Sequence, residues 1–325
     1  MLQRFYTLAA NTFVETIRQP IYSVILMGTF ALLVLNVSLA AFTLDDDDKL
    51  LLDLGLSTLL LSGLFLSSFS ASEVLHREIT NKTVLTVVSK PVGRPLFVLG
   101  KFFGLLGALV VAFYLSFLVF VLAQRHGVLQ NTSDPWDAPV LVFGIGSLIL
   151  SFAFAALANF FYGKDFPTTW IATFAPMLTV GVLLVAKLDE HWQVIHFASN
   201  FVGGQVLIAA YLVLLMVIVT AAVALAAATR FGQLMTLVIC LAVLGLGVAN
   251  DYAFGQHEAT SFIAAICYRM IPNMGPFWVI DGLYGESEAT TITLRYVGYV
   301  TCYAMLLTTG VLGIAIAAFQ KREVG

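Results

Sequence analysis

Charge is scarce in this chain. Only 11% of its 325 residues are Asp, Glu, Lys or Arg, while 60% are hydrophobic. A water-soluble domain is about a quarter charged and about half apolar, so that class is set aside and an integral membrane protein is expected. The net charge of −3 is too small to mark a partner by itself, and no nucleic-acid partner is expected. Cysteine is nearly absent. Cys240, Cys267 and Cys302 make an odd set, and the first and last lie in apolar runs. Neither a disulfide framework nor a paired-cysteine metal site can be read from them, and they are taken as small packing residues. A secretory leader is missing as well. The first long apolar run begins only at Ile21, without the short core and small-residue cleavage site of a signal peptide, so no cleavage is expected.

Ionisable groups are missing where coupled transport would need them. The apolar runs carry Lys101 and Lys187 only at their edges and Asn159 near an end. Ion-coupled transporters keep carboxylates or histidines at membrane depth to hold the coupling ion, so secondary transport loses its chemical basis. Catalytic patterns are equally thin. His191 and His196 stand five apart, the wrong step for a shared helical face and a zinc pair, and no Gly-x-Ser-x-Gly elbow occurs. The stretch "GRPLFVLGKF", 93–102, has six residues between its glycines and Phe102 after the lysine, so it is not a phosphate-binding loop. Asn81-Lys-Thr83 and Asn131-Thr-Ser133 fit the glycosylation triplet, a pattern too short to carry weight. No metal site and no enzymatic activity are expected of this chain.

What is present is a series of long apolar runs. A crossing helix needs about 20 mostly apolar residues, at about 1.5 Å of rise each against a core of about 30 Å. Eight candidates meet that rule: Ile21–Leu44, Leu54–Ala71, Phe102–Ala123, Val140–Phe160, Pro167–Ala186, Val206–Ala228, Leu234–Ala249 and Tyr296–Phe319. The second and seventh are short, and six spans result if two central runs are re-entrant. The fold class expected is therefore all-α and polytopic. With the N-terminus in the cytoplasm and eight alternating spans, eleven of the sixteen Lys and Arg fall inside, Arg4, Arg18 and Arg230 among them. Five fall outside: Lys49, Arg125, Lys187, Arg269 and Arg295. This bias puts both termini in the cytoplasm. The acidic run "DDDDK", Asp45 to Lys49, then lies outside as a solvated turn; a calcium loop would want alternating ligands and a Gly.

Residues 1–20 form a separate element. Leu2, Phe5, Tyr6, Ala9, Phe13 and Ile17 gather on one side of a helix, with Arg4, Asn11, Glu15 and Arg18 on the other. That pattern predicts an amphipathic helix lying along the membrane surface, ended by Pro20. Residues 21–325 are read as one transmembrane domain. Its segment 250–293 lies outside, where Pro272, Gly275 and Pro276 break the chain into a hairpin or short helices. The hydroxyls of Ser57, Thr58, Ser62, Ser67, Ser68 and Ser70 either line a path or let helices approach closely.

Positive charge is concentrated in one connector. Residues 76–101, "HREITNKTVLTVVSKPVGRPLFVLGK", hold Arg77, Lys82, Lys90, Arg94 and Lys101. The segment 73–95 sits inside, between the second and third spans. From Glu73 it can run as an amphipathic helix with Val74, Leu75, Ile79, Leu85 and Val88 on one side, closed by Pro91 and Pro95. Such a shape suits docking on a partner. Orientation alone would explain lysines and arginines in any arrangement, whereas these stand in an ordered run.

That run resembles the membrane-spanning permeases of type-2 ABC exporters. Their pattern is an acidic residue, Arg-Glu, Thr, Leu-Leu-Ser-Lys-Pro-Val-Ser-Arg, an aromatic, then Leu-Gly-Lys. This chain has Glu73, Arg77-Glu78, Thr83, Ser89-Lys90-Pro91-Val92-Gly93-Arg94, Phe97 and Leu99-Gly100-Lys101, departing at Gly93 and at Val87-Val88. "AANTFVETIRQP" is similar to the family's N-terminal interface helix, "MIPNMGPF" with Pro272 and Asn273 to the element before its last span, and "AFQKREVG" to its cytoplasmic ending. The resemblance implies a non-catalytic permease of the bacterial cytoplasmic (inner) membrane. It would pair with a second copy or a related permease, and a separate ABC ATP-binding subunit would hold the ATP and Mg. Glu73, Arg77, Glu78 and Thr83 would meet that subunit, with Lys90, Pro91 and Arg94 holding the turn near it or near anionic lipid headgroups. Lys101 would snorkel at the inner membrane boundary, which Lys321 and Arg322 would also mark. Two other readings stand beside it: a membrane assembly or scaffold protein without transport, and a lipid-modifying membrane enzyme, which the missing polar catalytic cluster disfavours.

Overall fold

The structure, a computed structural model, describes residues 2–41, 47–80, 93–128, 136–197, 199, 201, 203–257, 261–280 and 292–320. The described residues are helical apart from turns, short irregular stretches and one isolated bridge, Leu188 to Val194. In chain order the helices are α1 (Leu2–Ile17), α2 (Pro20–Ala40), α3 (Asp47–Thr80), α4 (Arg94–His126), α5 (Ala138–Tyr162) and α6 (Phe166–Val185). They continue with α7 (Gly204–Ala228), α8 (Gln233–Val248), α9 (Asn250–Ala253), α10 (Phe262–Met270) and α11 (Leu294–Gln320). Single 3₁₀ turns occupy Gly255–His257 and Gly275–Phe277.

Seven of these, α2 to α7 and α11, are long and apolar enough to cross a membrane. A helix satisfies its own backbone N–H and C=O groups, which hydrocarbon cannot do, and that makes it the natural form for such runs. Together they give the pattern of a multi-pass membrane protein. The seventh expected span, Leu234–Ala249, is α8 and only 16 residues long; it reaches crossing length only with α9 and the following 3₁₀ turn, from which it is bent by 65°.

Helix ends follow local chemistry. Pro20 stands at the first position of α2, where its missing N–H is not needed, so it starts a helix as α1 stops at Ile17. Asp137 and Asp165 cap α5 and α6, accepting from the N–H groups of Val140 and Thr168. Between these two helices Gly163 takes φ 62°, a left-handed position that suits glycine, and its N–H reaches the Ala158 and Asn159 carbonyls.

The chain forms two compact units. The first comprises 1–16, 63–109 and 208–325; the second, 17–62 and 110–207. In the second, α5 and α6 form an antiparallel hairpin. Phe143 lies against Gly181, and Phe152 meets Trp170 with ring centroids 5.0 Å apart. Trp170 stacks on Phe174, which meets Phe30 of α2 at 5.6 Å. Asn36 of α2 donates to the Thr58 hydroxyl of α3 at 2.9 Å. In the first unit α7 is buried on almost every side, whereas α11 buries a single stripe, as expected of a core helix and a lipid-facing one. Gly63 of α3 lets Val217 of α7 approach where a methyl group would not fit. Ser67, Ser68 and Ser70 are buried beside it, which favours close approach over a hydrated path for this part of the serine face.

Candidate functional site

Of the residues singled out around the connector, Glu73, Arg94 and Lys101 are described with their side chains, all in the first unit. Of the helix expected from Glu73, residues 73–80 continue α3, which runs unbroken for 34 residues from Asp47 to Thr80, so Glu73, Arg77 and Glu78 belong to its last turns, and the rest of that stretch lies outside the described residues. The apolar pattern fades at Ser67–Ser72, but Ser67 returns its hydroxyl to the Leu64 carbonyl and leaves the backbone helical. Thr83, Lys90 and Pro91 lie outside the described residues, as do Lys321 and Arg322.

Glu73, half-buried, and His76, exposed, border a polar cavity of 320 Å³ together with Ser72 and the turn joining α7 to α8. That turn contributes Arg230, Phe231, Gly232 and Gln233. Arg230 extends from it and donates to the Ala318 carbonyl at 2.9 Å. Arg94, the first residue of α4, donates to the Gln320 carbonyl at 2.7 Å. Two guanidiniums therefore cover the last carbonyls of α11, which carry the negative end of its dipole. Phe97 stacks on Phe319 at 5.4 Å beneath them.

Lys101 lies farther along α4. Its side chain is 1% exposed, with its ammonium 3.4 Å from Glu15 and 5.8 Å from the centre of the Phe97 ring. The approach of α1 is what covers it. Gly104 leaves space for Ala9 and Thr12; a Cβ there would come within 2.4 Å of the Ala9 carbonyl oxygen. Leu8 covers Gly100 in the same way, and Phe5 meets Phe103 at 5.7 Å. The face of α1 turned to α4 thus includes Leu8 and Thr12 as well as Ala9 and Phe13, while Leu2 and Tyr6 remain 85% and 74% exposed.

Pro272 and Asn273 belong to another polar group of the first unit. Asn273 donates its side-chain amide to Asp251 at 2.9 Å and its backbone N–H to the Tyr303 hydroxyl at 3.0 Å. The Gly275 N–H returns to the Asn273 side-chain oxygen at 2.8 Å. Tyr268 also donates to Asp251, and buried Asn250 donates to the Tyr268 and Ile271 carbonyls. This network holds the break after α8, where the Met274 N–H meets the Gly247 carbonyl at 2.9 Å.

One polar centre escaped the sequence reading. In the second unit Arg125 and Asp137, 5% and 8% exposed, pair at 2.9 Å. Arg125 also donates to the Leu188 carbonyl at 3.0 Å, and Asp137 caps α5. Asp-Ala-Pro ahead of an apolar run is a helix-start signal that could have marked Asp137, but nothing local pointed to Arg125. Among the described residues no cluster of His, Cys, Asp and Glu could hold a metal ion. No family model, curated protein or solved structure matches the chain.

Proposed function

We propose that this chain is the permease subunit of an ATP-driven exporter of the type-2 ABC class, moved by a separate ATP-binding subunit that grips the segment between α3 and α4. The observation that carries the reading is the ordered run from Glu73 through Ser89-Lys90-Pro91-Val92-Gly93-Arg94 to Leu99-Gly100-Lys101, in a chain of seven apolar helices. The geometry of the first unit supports it. The end of α3 and the start of α4 flank that segment, and each is tied to other helix ends, α3 through the polar cavity and α4 through Arg94. A push on the segment would pass directly into α3, which is continuous from Asp47. In this reading α1 lies at the inner membrane boundary, both termini are cytoplasmic, and two permease chains pair.

The test is retention of the ATP-hydrolysing subunit. Glu78→Arg should abolish its co-purification while the variant still inserts in the membrane. Undiminished co-purification would remove the docking role, and full activity of the purified chain without any nucleotide-hydrolysing companion would remove the proposal. Single-cysteine labelling in intact cells should find position 89 cytoplasmic and position 46 exposed outside; the reverse pattern would overturn the orientation. Transport into vesicles separates an exporter from an assembly protein.

A further inference from the structure

The second unit contains an apolar cavity of 460 Å³ enclosed by α2, α4, α5 and α6, a size that holds small ligands elsewhere. Its α2 wall extends from Phe30 to Ala41, eleven residue steps and so about 16 Å along the helix. One leaflet of hydrocarbon is about 15 Å deep, half of a core of about 30 Å. Phe174 and Leu178 of α6 complete the lining. Two wall residues, Val34 and Ile145, are 63% and 52% exposed, so the slot opens sideways onto the apolar surface of its own unit. At the end near the Arg125–Asp137 pair stand His126 and Trp136, with ring centroids 6.1 Å apart.

We propose that this cavity is a binding site for one acyl chain of a phospholipid, with His126 and Trp136 at its polar end. The occupant follows from the surroundings. A slot that is apolar, one leaflet deep and open to the side borders on hydrocarbon, and an empty apolar void forfeits the contacts its lining would make. A phospholipid supplies the tail for the walls, and its ester then falls at the end marked by His126 and Trp136. Trp136, an amphipathic ring 64% exposed, suits the boundary where tail gives way to headgroup. The inference needs only the membrane-spanning character of the helices. It is independent of coupling to an ATPase.

The test uses the full chain in phosphatidylcholine vesicles doped with phosphatidylcholine carrying a photoreactive group at one acyl terminus, with labelled residues located by mass spectrometry. Labelling at Phe30, Leu148 and Phe174, where the terminus of a chain with its ester at the His126 and Trp136 end would lie, should exceed that at Leu306 and Ile314, exposed apolar residues of α11, by about fivefold, the ratio for roughly 1 kcal/mol of preference. Ile145→Trp and Val34→Trp should each remove the excess by filling the slot; Val34 is on the open rim, so its variant leaves packing intact. Uniform labelling of all exposed apolar positions, or an excess untouched by both tryptophan variants, would show ordinary surrounding lipid and overturn the site.

Discussion

Two cations in this protein are removed from water, and they are held in different ways. In the second unit Arg125 faces Asp137 with both side chains covered, and each makes a further bond to the backbone. In the first unit Lys101 is covered just as fully, yet Glu15 across from it keeps 54% of its side chain exposed. A doubly buried pair cannot be half dismantled without stranding a charge in a low dielectric. A pair with one wet partner can be parted, because the exposed carboxylate returns to water. The first arrangement ties α4 to α5 and to the Leu188 carbonyl, whereas the second ties α1 to α4 through a carboxylate that keeps its contact with water.

The contrast predicts a graded series. The largest effect is expected for Asp137→Ala, which strands Arg125 and removes the cap of α5. It should lower stability by about 3–5 kcal/mol, read as thermal unfolding of the detergent-solubilised chain, and an unchanged midpoint would erase the distinction. Replacing both partners, Arg125→Leu with Asp137→Leu, should recover most of that loss apart from the cap. Next is Gly104→Ala, whose new methyl group meets the α1 backbone; about 1–3 kcal/mol of overpacking should appear as faster hydrogen exchange across 2–17. Exchange as slow as in the parent chain would mean that α1 is not held by this contact. Lys101→Met should change stability by less than about 1 kcal/mol, since the exposed partner stays hydrated. If it equals Asp137→Ala in the same melt, the two pairs are not different in kind. The smallest effect is expected for Asn36→Leu, about 0.6 kcal/mol for one interhelical hydrogen bond in an apolar setting, visible only as a slight fall in the melting midpoint.

Much of the architecture was legible in the chain because apolar length is a local property. The seven long helices coincide with runs visible in the sequence, and the weak seventh run is the bent α8. The second run shows where this reading fails. Hydropathy marked Leu54–Ala71, but α3 extends to Thr80, since serine hydroxyls and the charged residues after them lower apolarity without breaking backbone bonds. The candidate site was legible as an ordered run of residues and not as a surface. Nothing near Glu73 announces that the α7–α8 turn completes its cavity, nor that Arg94 and Arg230 both finish α11.

The amino-acid order by itself determined that this protein is helical and membrane-crossing, because hydrocarbon rejects unpaired backbone groups whatever the side chains pack against. It also set the helix starts, at Pro20 by a residue that needs no N–H there, and at Asp137 and Asp165 by caps within three residues of the groups they serve. Tertiary structure alone decided the fate of the charges. Lys101 and Glu15 are 86 positions apart, and Arg125 reaches a carbonyl 63 positions away. Whether a cation snorkels, pairs or caps a distant helix depends on what is brought within about 4 Å of it, and chain spacing carries no such distance.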